Sequence, residues 1–320
     1  MSPTVLALPH TTTSSPADWF QAFEGATNQK YRTIRALVPF LQQICKNKSS
    51  CSFLDIGCAR GLLSLKIVNQ LGKERVHYCG IDAEASALAE AKKSFKKERV
   101  IASFVKGSCF DESVHTLLPD NADIILLSHV AYYAADIHDF VQQYLKKLGK
   151  EGVAVFIHNP VDSDTNQLRT KYGASVVLNT VAGIETTLEK QTHYKKGFLL
   201  SHLYFPEAIS GYWDILRQIS YQNSVVNENP EFIKAKHLLE FVVQQPLEEL
   251  HRRGLLDAYL MEVKNKLETQ ENCLLVKSCI DVAVSPQCDD LFLKRFERAF
   301  KKLDAVVHQF EKQKFDQHVA

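Results

Sequence analysis

Short apolar runs alternate with helical patterns through the first half of the chain. SFLDI (52–56), VHYCGI (76–81), ASFVK (102–106), DIILLS (123–128) and GVAVFIH (152–158) are apolar along most of their length. Strands buried on both faces read this way. Between them, residues 61–71, 83–97 and 136–148 read as helices, the last closed by Gly149. The alternation predicts an α/β fold built on a doubly wound, mainly parallel sheet. A helix over about 18–46, with Ser15 or Asp18 as its cap, precedes the first strand.

The pattern loosens beyond residue 158. Helices are predicted over 163–172, 180–191, 208–220, 230–243 and 246–267, and strands over 197–205 and 273–284. Residues 289–314 form a long amphipathic helix, with Leu293, Phe296, Phe300, Leu303, Val307 and Phe310 spaced by three and four. Four segments follow from this: a flexible Ser/Thr/Pro-rich arm (1–17), a main domain (18–285), a helical cap inserted before the last strand (about 160–270) and an extra C-terminal helix (286–320).

Composition narrows the function classes. The 38 Lys and Arg against 37 Asp and Glu leave a net charge of +1, without the clustered excess cation that nucleic acid or anionic lipid selects. No apolar run approaches the roughly 20 residues of a membrane span, and no basic-then-apolar start marks a secretory signal. The eight cysteines show no CxxC pair and sit mostly in apolar runs, so free thiols in a cytoplasmic protein are expected. The histidines at 193, 202, 237 and 251 lack metal-ligand spacing, and no metal is expected. Basic runs such as KKSFKKER (92–99) read as solvated helix faces.

The chemistry concentrates in LDIGCARG (54–61). A strand enters a turn held by Gly57 and Gly61, and a helix follows whose free N–H groups point back at the turn. GxGxxG fails, because Ala59 and Leu62 stand where glycines are needed, and no GK[ST] follows for a phosphate loop. What remains, Asp55-x-Gly57-x-x-x-Gly61, resembles motif I of class I S-adenosylmethionine (SAM) methyltransferases. Asp82 ends the second strand, where a carboxylate can accept both ribose hydroxyls or instead cap the helix after it. The third strand runs into VKGSCFDE, where Ser108 or Cys109 is the candidate polar contact to adenine and Phe110 its apolar cover. Ser128, His129, Tyr132 and Tyr133 follow the fourth strand, at the usual ligand crevice of such a sheet. Aromatic faces there suit a sulfonium or an amine. His129 is expected to make contact without proton transfer, because positioning dominates an in-line methyl transfer and a neutral amine needs no strong base.

YYAADIHDFVQQYLKKLGKEGVAVFIH followed by LRTKYG resembles the histamine N-methyltransferase type of SAM enzyme over roughly residues 18–285. The resemblance implies a Rossmann-like SAM methyltransferase fold with an antiparallel last strand. It implies SAM held at Gly57, Cys58, Gly61, Asp82, Ser108 and Cys109; Asp55, Ala59, Phe110 and Ser128 are further candidate cofactor contacts, with Tyr31 lining it from the preceding helix. It implies an acceptor near Tyr132 and Tyr133, with His129 in the place of a substrate-contacting glutamine, and S-adenosylhomocysteine as product. This chain departs from the pattern twice. The carboxylate that grips the substrate cation is matched by Asn28, with Glu24 one turn earlier, and the asparagine of the last strand is matched by about Lys277. The expected activity is methyl transfer to a small-molecule acceptor, an amine nitrogen. A protein side-chain acceptor and a non-catalytic interaction scaffold are the alternatives. Oligomeric state is not readable from the residues.

Overall fold

The computed structural model describes residues 15–160, 162–173, 178–218 and 228–312. The chain divides into two compact units. One gathers the described residues of 28–166, 176–201 and 276–320; the other gathers those of 1–27, 167–175 and 202–275.

The sheet belongs mainly to the larger unit. Its strands are β1 (Cys51–Ile56), β2 (Val76–Asp82), β3 (Ile101–Lys106), β4 (Ala122–Ser128), β5 (Leu148–His158), β6 (Tyr194–Tyr204) and β7 (Cys273–Val284). They lie in the order β3-β2-β1-β4-β5-β7-β6. The first five pair in parallel, and β7 runs antiparallel to β5, as expected for the last strand.

Side-chain alternation gives β1, β2, β4, β5 and β7 two buried faces, whereas β3, expected to be buried likewise, is an edge strand and carries no fully buried residue, with Ile101 exposed. Phe53, Tyr78, Ile124, Val155 and Ile280 face one core with α2 (Gln29–Cys45), α3 (Leu62–Leu71) and α4 (Ala85–Lys97). Leu54, Ile81, Ile125, Phe156 and Ala283 face the other, beside the short α5 (Glu112–His115), α6 (Ile137–Leu145) and α8 (Leu178–Gln191). Double burial is why the strands read as unbroken apolar runs. The C-terminal helix, α13 (Asp290–Lys312), lays Phe292, Phe296, Leu303, Val307 and Phe310 into the first core, and the Arg32 guanidinium of α2 lies 5.0 Å from the Phe310 ring centroid. The apolar stripe is thus docked on its own chain.

The smaller unit is mostly helical, with α1 (Pro16–Glu24), α9 (Trp213–Gln218), α10 (Pro230–Val243), α11 (Leu247–Arg252) and α12 (Leu256–Thr269). Phe23 of α1 stacks on Phe241 of α10 with centroids 4.1 Å apart. α7 (Asp164–Tyr172) and the ends of β6 and β7 contribute to both units. No described helix is long and apolar enough to cross a membrane.

Several boundaries differ from expectation. Residues 1–14 of the expected arm lie outside the described residues, but Pro16 and Ala17 are helical, because Ser15 and Asp18 close a capping box. The helix expected over 18–46 is two, α1 and α2, parted where Thr27 bridges Leu203 and its hydroxyl donates to His202 O at 2.9 Å. The helix expected over 246–267 breaks at Gly254, whose φ is +69°. The strand expected over 197–205 is β6, which begins three residues earlier and joins the sheet beside β7 from within the expected cap.

Candidate active site at the carboxyl edge of the sheet

Parallel pairing delivers the carboxyl ends of β1, β2, β3 and β4 to one edge. Ile56 pairs with both Ile81 and Leu127, and Asp82 pairs with Lys106. The loops after these strands therefore open side by side, as a doubly wound sheet requires of a ligand crevice.

The β1 loop turns sharply. Gly57, Ala59 and Gly61 all hold left-handed backbone, at φ +69°, +46° and +65°. A Cβ on Gly57 would stand 2.8 Å from Val130 Cγ2, and one on Gly61 would stand 2.8 Å from Phe95 Cε2. Both glycines are thus demanded by backbone conformation and by side chains pressed against the loop. Asp55 lies beneath it, buried, accepting from the Ser64 hydroxyl at 2.5 Å and the Tyr78 hydroxyl at 2.7 Å. Burial pushes its carboxyl up to about 6, against the two hydroxyls that favour ionisation. Asp55 thus ties β1 to α3 and β2. Cys58 is buried as well; its N–H donates to Ile81 O at 2.9 Å, and burial pushes its thiol up.

Asp82 ties the second loop to the first. Its Oδ2 accepts the Ala59 N–H at 2.8 Å, and its Oδ1 accepts the Glu84 N–H at 2.8 Å. The cap of α4 is Glu84, whose carboxylate takes the Ser86 N–H, so capping does not consume Asp82. A carboxylate has about four acceptor positions, and these two bonds use half of them. Two adjacent ribose hydroxyls match what is left. The acceptor positions left on Asp82 therefore fit the hydroxyls of a ribose at this edge.

At the β3 loop, Ser108 Oγ accepts the Phe110 N–H at 3.2 Å, and the Phe110 ring is 38% exposed beside Phe140, 5.1 Å away. An apolar face is thus available to a base. The Cys109 thiol is buried in the core and pushed up to about 12 by that burial, while its carbonyl takes the Tyr144 hydroxyl at 2.9 Å. Of the two residues considered for the polar contact, Ser108 is the one at the surface of the loop.

The fourth loop holds a polar chain. His129 adopts φ +56°, donates its N–H to Ile157 O at 2.8 Å, and places Nδ1 3.2 Å from the Tyr132 hydroxyl. The same hydroxyl accepts the Asn159 N–H. Asn159 Oδ1 in turn takes Gln29 Nε2 at 3.4 Å, and Gln29 Nε2 reaches Ser278 Oγ at 2.7 Å. The first turn of α2 is thereby pinned to the ends of β4 and β5. Ser128 is half-buried at the end of β4. Tyr31, also in the first turn of α2, is 39% exposed, and its hydroxyl accepts from Arg35 at 3.1 Å. Asn28 precedes α2 in the larger unit, whereas Glu24 closes α1 in the smaller one. The side chain of Tyr133 lies outside the described residues.

Gln29 and Asn159 escaped the sequence reading, as did His158 and Asp281. Two of them carried a signal: His158 ends an apolar strand and Asp281 interrupts one (CIDVAV), and polar residues in such runs call for a partner. Gln29 and Asn159 carried none.

A doubly wound sheet with a glycine turn after β1 and a free-valenced acid after β2 defines a nucleoside-binding enzyme edge. Residues 47–218 match the family model of a methyltransferase domain, and the chain belongs to this family of SAM-dependent methyltransferases. No curated protein matches the chain. Among solved structures it is similar in fold to YcgJ of Bacillus subtilis, at 15% identity over 77% of this chain and 97% of that one, with a TM-score of 0.47. It is also similar to the MccD protein (14% identity, 77% and 94% covered, TM-score 0.46) and to precorrin-6y C5,15-methyltransferase of Geobacter metallireducens (14%, 52% and 74%, TM-score 0.38).

Proposed function

We propose that this methyltransferase moves the methyl group of SAM to the amine nitrogen of a small molecule. The observation that carries the reading is Asp82, held by Ala59 and Glu84 N–H groups with acceptor positions left over. Asp82 binds the ribose, the left-handed turn from Gly57 to Gly61 carries the amino-acid end, and Ser108 and Phe110 hold adenine. SAM, when bound, supplies a methyl group on a cationic sulfur. The protein's task is then to orient the acceptor and exclude water. Tyr132, His129 and Asn159 line the acceptor side, each fixed by the others. Tyr133 and Asn28 are assigned to the same side, and Tyr31 to the cofactor.

Incubation with SAM carrying a deuterated methyl group and a fractionated cell extract tests this. Label in a low-mass amine is the expected result. Label confined to protein would make the acceptor a side chain. No label, with no SAM binding by titration, would overturn the reading.

A further inference from the structure

His158 and Asp281 form a buried pair that the reading above does not use. His158 is the last residue of β5, and Asp281 lies on the neighbouring β7. Both are at most 1% exposed, and His158 Nε2 stands 2.7 Å from Asp281 Oδ2. Among the described residues, His158 Nδ1 and Asp281 Oδ1 are buried without a hydrogen-bond partner. With Asp281 ionised, Nε2 carries the hydrogen, so Nδ1 presents a lone pair. Two buried acceptors are then left, and the group that satisfies them must be a donor. His158 directly precedes Asn159, whose N–H holds the Tyr132 hydroxyl, so the pair borders the acceptor side of the site.

We propose that this pair receives the ammonium group of the acceptor and that His158 Nδ1 takes a proton from it. An alkylamine is an ammonium ion near neutral pH and has no lone pair to offer. One N–H bond breaks, its electrons stay on nitrogen as the lone pair, and the proton goes to Nδ1. The resulting imidazolium keeps its Nε2–H on Asp281, whose carboxylate balances the charge. His158 is then the general base, and Asp281 is a positioning residue. The titratable groups that interact with Asp281 are Tyr194 and Lys196 of β6 and Cys279 of β7, and beyond them stand Glu185 of α8 and Lys277 of β7. Lys196 is paired with Glu185, and Lys277 with Asp162. The proposal rests on the amine-methyltransferase reading.

The test uses the full chain labelled with 15N-histidine, with His158→Gln to assign the signal. Hydrogen on Nε2 and none on Nδ1 is expected at neutral pH, and benzylamine, but not benzyl alcohol, should move Nδ1 toward the imidazolium range. Hydrogen on Nδ1, or an Nδ1 signal that benzylamine leaves in place, overturns the proposal. In the deuterated-methyl assay, His158→Gln should lower label in the amine fraction by about 100-fold or more, with SAM affinity kept within about twofold. Label retained by this variant overturns the general base. Asp281→Asn should move the acidic limb of the pH profile downward, which a purely structural role would not do. Failure of the wild-type chain to bind SAM would instead overturn the methyltransferase reading, while a benzylamine response in the same sample would still support the receiving pair.

Discussion

The carboxylate of Asp82, at the end of β2, accepts the backbone N–H of Ala59 at 2.8 Å, across the gap between two parallel strands. Ala59 holds φ +46°, a conformation an alanine adopts only under constraint. The acid therefore does two things. It fixes the turn after β1, and it stands beside that turn with acceptor capacity remaining. Asp82→Ala should weaken SAM binding by about 10- to 100-fold, the scale of one or two hydrogen bonds to a charged group. Calorimetric titration checks it, and unchanged affinity would remove the ribose assignment.

Gly57 tests whether the loop is held by its own conformation or by its neighbour. Gly57→Ala should cost about 1–2 kcal/mol for the left-handed backbone and about 1–3 kcal/mol for contact with Val130. Adding Val130→Ala should relieve the contact but not the backbone cost. Denaturant unfolding of the single and double variants separates the two contributions.

Asp55 makes stability depend on pH. Its carboxyl is raised from 3.8 to about 6 by burial, so the folded protein holds that proton more tightly than the unfolded chain. The contribution is fully present below about 4 and is lost as pH rises through 6, by roughly 3 kcal/mol in all. Asp55→Asn should flatten this slope. Thermal melts of both proteins from pH 4 to 7 would show it, and parallel curves would count against it.

Tyr132→Phe removes the hydroxyl that joins His129 to Asn159 N–H. A loss of about 1–2 kcal/mol in stability is expected, because the amide loses its acceptor. Methyl transfer should fall further than that loss explains, with SAM affinity unchanged. Equal falls in transfer and in folded fraction would make Tyr132 a structural residue.

The docked C-terminal helix gives a control outside the candidate site. Phe296 is 1% exposed and meets Phe40 of α2 edge-on, with centroids 6.1 Å apart. Phe296→Ala should cost about 3–5 kcal/mol, read as a shift in the unfolding midpoint.

Much of the sheet was legible because its inner strands are buried on both faces, leaving long apolar runs bounded by polar turns. The ends of elements were less legible. Leu148 and Gly149 look like the end of a helix, yet Leu148 pairs with Ala122 and opens β5. The break between α1 and α2 depends on Leu203 and His202, which lie some 175 residues away. Local propensity contains no record of such a partner.

The residues after β1, β2 and β3 could be placed because each follows its strand directly, and parallel strands must open at one edge. Gly57, Asp82 and Ser108 are therefore consequences of local sequence plus topology. His158 and Asp281 are not. They are 123 residues apart, and they meet because the antiparallel register of β7 sets Asp281 opposite Phe156, two residues before His158. The apolar pattern of residues 273–284 carries no direction and no register, since a strand buried on both faces reads alike whichever way it runs. The sequence by itself determined the strands and the glycine turn and acid that follow them at one edge. The tertiary pairing of β5 with β7 decided that His158 and Asp281 lie together.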